Sequence, residues 1–263
     1  MKKDTPTKKL FYLISIILLL ILLCLSINKL ISPTQKSSNY LNQDKIDLKD
    51  IENKEIEKEP EKEDNTKEEP SEYEIAKKYF SSDINLDTYR NQYNNPEIVA
   101  RLEIPNLFNI LITQSSDNKY YLDHSIEKKK DVKGTEFMDY RITPTSKQVN
   151  IYGHNSRTYD IPFRKIEKLL DKDTFDRTPY ILLQHDGGIR IYKIVSIKET
   201  TGNEHMYVFK EDEEFVTHIQ TLISDSIYTR SVPYDKDSNI LTIQTCSYSD
   251  DKTYYVITAI ELK

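Results

Sequence analysis

Residues 239–248 read Asn-Ile-Leu-Thr-Ile-Gln-Thr-Cys-Ser-Tyr, and residues 149–157 read Val-Asn-Ile-Tyr-Gly-His-Asn-Ser-Arg. Both begin as a short apolar, β-branched run and end abruptly in polar loop residues, the pattern of a strand that stops at an exposed turn. The first run carries Cys246 at its end, the second a glycine followed at once by His154. A thiol at the end of a strand beside a loop is placed like a nucleophile on a rigid support. The same position also suits a buried small hydrophobe, as lone cysteines commonly are. An imidazole brought next to the thiol would favour thiolate and could later protonate a leaving amine.

Outward from these two runs the chain keeps the same texture. Val99–Ile104, Asn109–Thr113, Gly134–Phe137, Tyr180–Gln184, Ile189–Ile197, Ile240–Thr245 and Thr253–Leu262 all read as strands, and Asp186-Gly187-Gly188 is a hairpin turn between two of them. Ser71–Asp83 and Ile84–Asn94 look like short helices. Glu211–Ile223 has helical spacing in Phe215, Ile219, Leu222 and Ile223. Many short strands with few helices predict a mostly β fold, a closed and mostly antiparallel barrel.

Toward the N-terminus the composition changes twice. Leu10–Ile27 is 18 residues without a charge, preceded by Lys2, Lys3, Lys8 and Lys9 and followed closely only by Lys29. That length just spans a hydrocarbon layer as a helix, and the lysine bias keeps the N-terminus cytoplasmic. No small-x-small cleavage site follows, so an uncleaved anchor is expected. Residues 44–70 hold 12 Asp and Glu against 6 Lys, a local charge equal to the whole chain's −6. Such a segment favours a disordered tether, and the near-neutral remainder excludes a basic nucleic-acid surface. The expected organisation is a cytoplasmic tail at 1–9, a transmembrane anchor at 10–28, a charged linker at 29–70 and a catalytic domain at 71–263 on the outer side of the cell membrane.

Two cysteines, Cys24 in the apolar run and Cys246, exclude a disulfide scaffold and any cluster needing several thiolates. No His-Glu-x-x-His or similar spacing occurs, so neither metal nor cofactor is expected. His185 and His218 read as surface or structural, and nothing marks His124 or His205 as ligands.

Ile151-Tyr-Gly-His-Asn155, with Thr242-Ile-Gln-Thr-Cys246 further on, resembles the sortase signature. Asn95–Pro105, Asp117–His124, Gly134–Arg141 and the helix at 211–223 resemble class B sortases in particular, in the family's order. The resemblance covers nearly all of 71–263. It implies an eight-stranded sortase-like barrel with N-terminal helices, and a helix in the long loop before the cysteine strand. It implies a membrane-anchored cysteine transpeptidase of Gram-positive bacteria whose thiol takes an NPxTx-like sorting signal of exported proteins as an acyl-enzyme. A peptidoglycan or protein amine, in the cell wall or a pilus, would then resolve that acyl-enzyme. Carried over residue by residue, Cys246 is the nucleophile, His154 the acid/base, and Asn118, Leu122, Gln244 and Thr245 face the sorting peptide.

The chain departs from the family at one catalytic position. Its arginine would fall on the strand after the cysteine, but the tail SYSDDKTYYVITAIELK contains none, and Tyr254 takes the place. A phenol donates one neutral hydrogen bond and cannot fork onto two acceptors. Lys252, Arg157 and Arg230 are the cations the resemblance puts near the groove. Gln244 stands where class B proteins usually have serine. Two expectations follow: an active class B-like transpeptidase, or a catalytically impaired sortase-like binding or scaffolding protein. The clustered His-Gly-Cys motif of an L,D-transpeptidase is missing.

Overall fold

The computed structural model describes residues 39–41, 69–202, 212–250 and 252–263. Among these no helix is long and apolar enough to cross a membrane. The expected anchor at 10–28, most of the linker, and the start of the expected helix at Glu211 lie outside the described residues.

Nine strands form one sheet: β1 (Ile98–Ile104), β2 (Phe108–Thr113), β3 (Phe137–Met138), β4 (Gln148–Tyr152), β5 (Tyr180–His185), β6 (Gly188–Thr200), β7 (Tyr228–Thr229), β8 (Ile240–Cys246) and β9 (Tyr254–Glu261). Eight of them run β5-β1-β2-β3-β4-β8-β9-β6 and close through β5–β6, while β7 is a short addition on β6. The expected barrel is thus present. Two of its junctions, β2–β3 and β4–β8, are parallel and the rest antiparallel. The β5–β6 hairpin turns where the Asp-Gly-Gly signal places it, with His185 opposite Gly188.

Alternate residues of the strands fill the interior: Ala100, Leu102 and Ile104, then Phe108, Ile110 and Ile112, Val149 and Ile151, Leu241 and Ile243, Ile257 and Ala259. The outward faces are not polar, because helices cover them. Helix α1 (Glu72–Lys77) brings Ala76 onto Tyr180, Leu182 and Ile191, with Phe80 just beyond it. Helix α2 (Leu86–Tyr93) places Leu86 against Ile98, Leu111 and Ile126. A 3-10 helix (Pro162–Leu170) leads into α3 (Lys172–Arg177), and α4 (Asp212–Ile223) seats Phe215, Ile219 and Leu222 on Val195, Ile240 and Ile260. This double burial explains why β8 reads as an apolar run rather than a clean alternation. Phe163, Ile166 and Leu169 recur every third residue, a helical signal absent from the expected elements, whereas the two-residue β7 is too short to be legible from sequence.

The expected strand Gly134–Phe137 is shorter than its residues suggest. Gly134 has φ +62°, which turns the chain out of extended geometry, and pairing begins only at Phe137. The two-residue β3 leaves most of the neighbouring edge of β2 open. Residues 39–41, inside the stretch expected as linker, take that edge: Tyr40 bridges Ile110, the Leu41 amide donates to the Asn109 carbonyl (2.7 Å), and the Leu111 amide to the Asn39 carbonyl (3.1 Å). An open edge of unpaired N–H and C=O groups is a template for such a strand.

Arg101, on β1, is fully buried. Its guanidinium pairs with Glu103 and donates to Asn109 Oδ1 (2.9 Å), Gln184 Oε1 (3.1 Å) and the Ser82 carbonyl (2.8 Å). It ties the link between α1 and α2 to the barrel wall. Replacing it by an apolar side chain leaves the Glu103 carboxylate buried without its cation. Arg101→Met should therefore lower the unfolding free energy by about 3–5 kcal/mol in a denaturant titration.

Candidate active site

Parallel pairing of β4 with β8 is what builds the site. Tyr152 lies opposite Gln244, and the Gly153 amide continues the ladder to the Gln244 carbonyl (3.3 Å). Both strands point the same way, so both end at the same rim of the barrel, and the residues that follow emerge side by side. Thr245 Oγ1 donates to the Gly153 carbonyl (2.9 Å), locking the two ends together. On the other side of β8, Cys246 pairs with Tyr254 of β9. Directly opposed residues of an antiparallel pair share one face with side chains ~5 Å apart at Cβ.

The result is a cleft of about 300 Å³ lined by Asn118, Leu122, Phe137, Tyr152, Gly153, His154, Gln244, Thr245, Cys246 and Tyr254. The seven residues expected as catalytic or peptide-facing, Cys246, His154, Tyr254, Asn118, Leu122, Gln244 and Thr245, all line it. Cys246 is a free, half-buried thiol, and burial pushes its pKa up from the ordinary thiol value. Its carbonyl accepts from Asn155 Nδ2 (2.8 Å), which also donates to Glu167 Oε1 (2.6 Å), while Tyr248 Oη donates to the Asn155 carbonyl (2.6 Å). Asn155 therefore fastens the histidine loop to the cysteine strand, a role that its place beside His154 does not reveal in sequence.

His154 Nε2 lies 2.6 Å from the Leu122 carbonyl. A carbonyl only accepts, so Nε2 carries the proton and Nδ1 is the nitrogen left to exchange one. The orienting partner is thus a backbone group, which no motif search among Asp residues could find. Its trace in the sequence is Gly134. A Cβ there would stand 2.6 Å from the Tyr121 carbonyl, 2.9 Å from the Leu122 carbonyl and 3.1 Å from His154 Cδ2, at a φ that side chains avoid.

Asn118 faces the cleft with its amide engaged, donating to Asp139 Oδ2 (3.0 Å) and accepting from the Tyr140 amide (3.0 Å). Asp139 is buried, which alone would raise its pKa. Hydrogen bonds from Arg141 and Asn118 outweigh this and hold it below the usual carboxylate range. Leu122 is the exposed apolar element of the rim.

The cations expected near the groove divide. Arg157 stacks over the Tyr248 ring (5.0 Å) and donates to the Tyr248 carbonyl (3.4 Å), on the loop just after the thiol. Arg230 is not at the groove. It donates to the Ile194 and Phe175 carbonyls and covers the Phe175 ring, because β7 pairs with β6 and carries it to α3. Lys252 sits exposed in the loop before β9 and does not line the cleft.

Under the histidine loop lies Glu136, buried and held by Asn39 Nδ2 and by backbone amides including that of Phe163. Burial pushes its pKa up to about 7.

No protein-family model matches the chain. Sortase B of Listeria monocytogenes is 33% identical over a 147-position alignment that covers 53% of this chain and 58% of that protein. The chain thus spans less than two thirds of that relative's length. The structure of Clostridium perfringens sortase B superposes with a TM-score of 0.63 at 23% identity, covering 68% of this chain and 100% of that one. A Staphylococcus aureus sortase B–substrate complex gives 0.59 at 22%, covering 66% and 86%. The fold is the sortase fold, and the sequence is similar to a class B member of that family over more than half its length.

Two outcomes follow from this geometry. Gly134→Ala should displace the Leu122 carbonyl or the imidazole, and the two-bond proton–nitrogen NMR spectrum of His154 should lose its single Nε2-protonated form. Glu136 has a folded pKa above its unfolded value near 4.5, so its stabilising share is full below that pH and is lost as pH rises through about 7. The difference in unfolding free energy between wild type and Glu136→Gln should fall across that window and be flat on both sides of it.

Proposed function

We propose that this chain is a class B-type sortase, a cysteine transpeptidase that acylates Cys246 with a sorting peptide and passes the acyl group to an amine. The observation that carries the reading is the convergence of His154, Cys246 and Tyr254 on one cleft through the β4–β8 and β8–β9 pairings. Thiol and imidazole together are the minimum for acyl transfer through a thioester, and a pure binding protein has need of neither.

In the first half-reaction the Cys246 sulfur, as thiolate, attacks the carbonyl carbon of the scissile peptide bond and forms a tetrahedral oxyanion. Collapse breaks the C–N bond. The departing amine takes its proton from the imidazolium of His154 through Nδ1, since Nε2 is held on the Leu122 carbonyl. In the second half an incoming amine gives a proton to the same nitrogen as it attacks the thioester, and the thiolate leaves. Because burial raises the resting thiol's pKa, the thiolate needs the neighbouring imidazolium to form.

Tyr254 stands where related enzymes carry arginine, and its hydroxyl is the donor for the oxyanion. One neutral donor stabilises developing charge less than a guanidinium fork. The exposed Leu122 offers an apolar contact, and Asn118, Gln244 and Thr245 polar ones, to an extended peptide with an NPxTx-like motif. The acceptor is an amine of peptidoglycan or of a protein subunit. A helix at 10–28 would anchor the domain on the outer face of the membrane of a Gram-positive cell.

The second reading, a sortase-like scaffold that holds the peptide without turnover, is favoured by one feature: among the described residues no Lys or Arg lines the cleft. Intact-mass analysis of the full chain in detergent with a panel of sorting peptides separates the two. The enzyme reading expects a gain on Cys246 equal to the N-terminal peptide fragment, lost entirely in Cys246→Ala and reduced about 10²–10⁴-fold in rate by His154→Ala. Folded protein whose Cys246 alkylates yet takes up no fragment supports the scaffold. Tyr254→Phe should slow acylation about 100-fold and Tyr254→Arg should raise it. Wild-type rates in both would remove Tyr254 from the mechanism.

A further inference from the structure

Glu136 is an expensive residue to keep where it is. It is buried beneath the loop that carries His154, and among the described residues no lysine or arginine pairs with it. Its stem packs on Gly153, where a Cβ would come within 2.7 Å of Glu136 Cγ and of Phe163 Cδ2. Its carboxylate accepts the Phe163 amide at the start of the 3-10 helix, and it accepts Asn39 Nδ2 from the strand at residues 39–41. Three separate segments therefore meet on one side chain, one residue away from the imidazole.

The Asn39 side of this junction is built. Asn39 is buried, its amide nitrogen also reaches the Leu111 carbonyl (3.4 Å), and its backbone lies in register on β2. Tyr40 bridges Ile110, and the Lys165 ammonium stands 4.4 Å over its ring. Lys165 belongs to the same 3-10 helix that supplies the Phe163 amide. The strand thus touches both β2 and the segment that follows the histidine loop. It fills the seam where β2 and β3 share only the pair Thr113–Phe137.

We propose that Asn39–Leu41 is a working strand of the barrel and that Asn39 and Glu136 are a positioning pair for His154. The strand clamps Glu136, Glu136 backs Gly153, and Gly153 sets where the imidazole stands. The role in turnover rests on the transpeptidase reading, but the clamp itself does not.

The test uses the full chain in detergent and reads His154 directly. Asn39→Leu removes the donor at similar volume. Asn39→Asp combined with Glu136→Gln exchanges donor and acceptor and keeps the bond. The first should broaden or shift the His154 imidazole resonances, expose the Leu111 amide to hydrogen exchange, and lower the acylation kcat about tenfold with KM within about twofold, since small misplacements act on chemistry more than on binding. The exchanged pair should restore all three. If Asn39→Leu fails to fold, Leu41→Pro, which deletes one strap amide, takes its place with the same expectations. A wild-type His154 spectrum in the strap variant, or an exchanged pair as impaired as the broken one, overturns the proposal. Should wild type itself form no acyl-enzyme, the transpeptidase reading fails, and the His154 spectrum still decides on the clamp.

Discussion

The parallel register between β4 and β8 is the constraint on which the site depends. Antiparallel neighbours would send the ends of Gln148–Tyr152 and Ile240–Cys246 to opposite rims of the barrel, and His154 would be separated from Cys246 by the length of a strand. Parallel strands cannot be joined by a tight turn and require a long crossover. The chain spends residues 153–239 on that crossover: the 3-10 helix and α3 pack their apolar residues into the core, β5 and β6 complete the wall, and α4 covers the outer face of β6, β8 and β9. The non-local pairing thus recruits most of the domain into holding two strand ends together.

The polar chemistry is then arranged by backbone groups more than by charged side chains. The Leu122 carbonyl selects the histidine tautomer, the Cys246 carbonyl takes the Asn155 amide, and the Gly153 carbonyl takes Thr245. The Cys246 and Gly153 carbonyls lie at the ends of barrel strands and the Leu122 carbonyl ends a short 3-10 turn, and all three set angles without adding charge. A site arranged in this way leaves the thiol in a neutral, partly buried setting that favours the protonated form. In the proposed transpeptidase, electrostatic help would come from the imidazolium and, at the oxyanion, from a phenol.

Glycine has two distinct uses beside the imidazole. Gly134 supplies a left-handed backbone together with the close approach of the Leu122 carbonyl. Gly153 has room on its face only for the stem of Glu136 and the edge of Phe163. Neither could carry a side chain without moving the group that positions His154. With so few glycines in the chain, two at this loop mark where the backbone is most crowded.

Much was legible before any coordinates. Apolar runs separated by Gly, Asp and Asn turns led to a closed barrel, and the ends of two of them picked out Cys246 and His154. The motif order singled out Asn118, Leu122, Gln244, Thr245 and Tyr254, all of which line the cleft. Periodicity reports local burial, and motifs report residue type, so these were accessible. What only the tertiary structure decided is non-local and made of backbone: the parallel pairing at β4–β8, the Leu122 carbonyl on His154, the removal of Arg230 to α3, and the return of residues 39–41 from a charged, linker-like stretch to an open sheet edge. None of these follows from side-chain chemistry, because a carbonyl or a free edge has the same sequence signature everywhere. Only the closing of the barrel fixes which of them is left facing the chemistry.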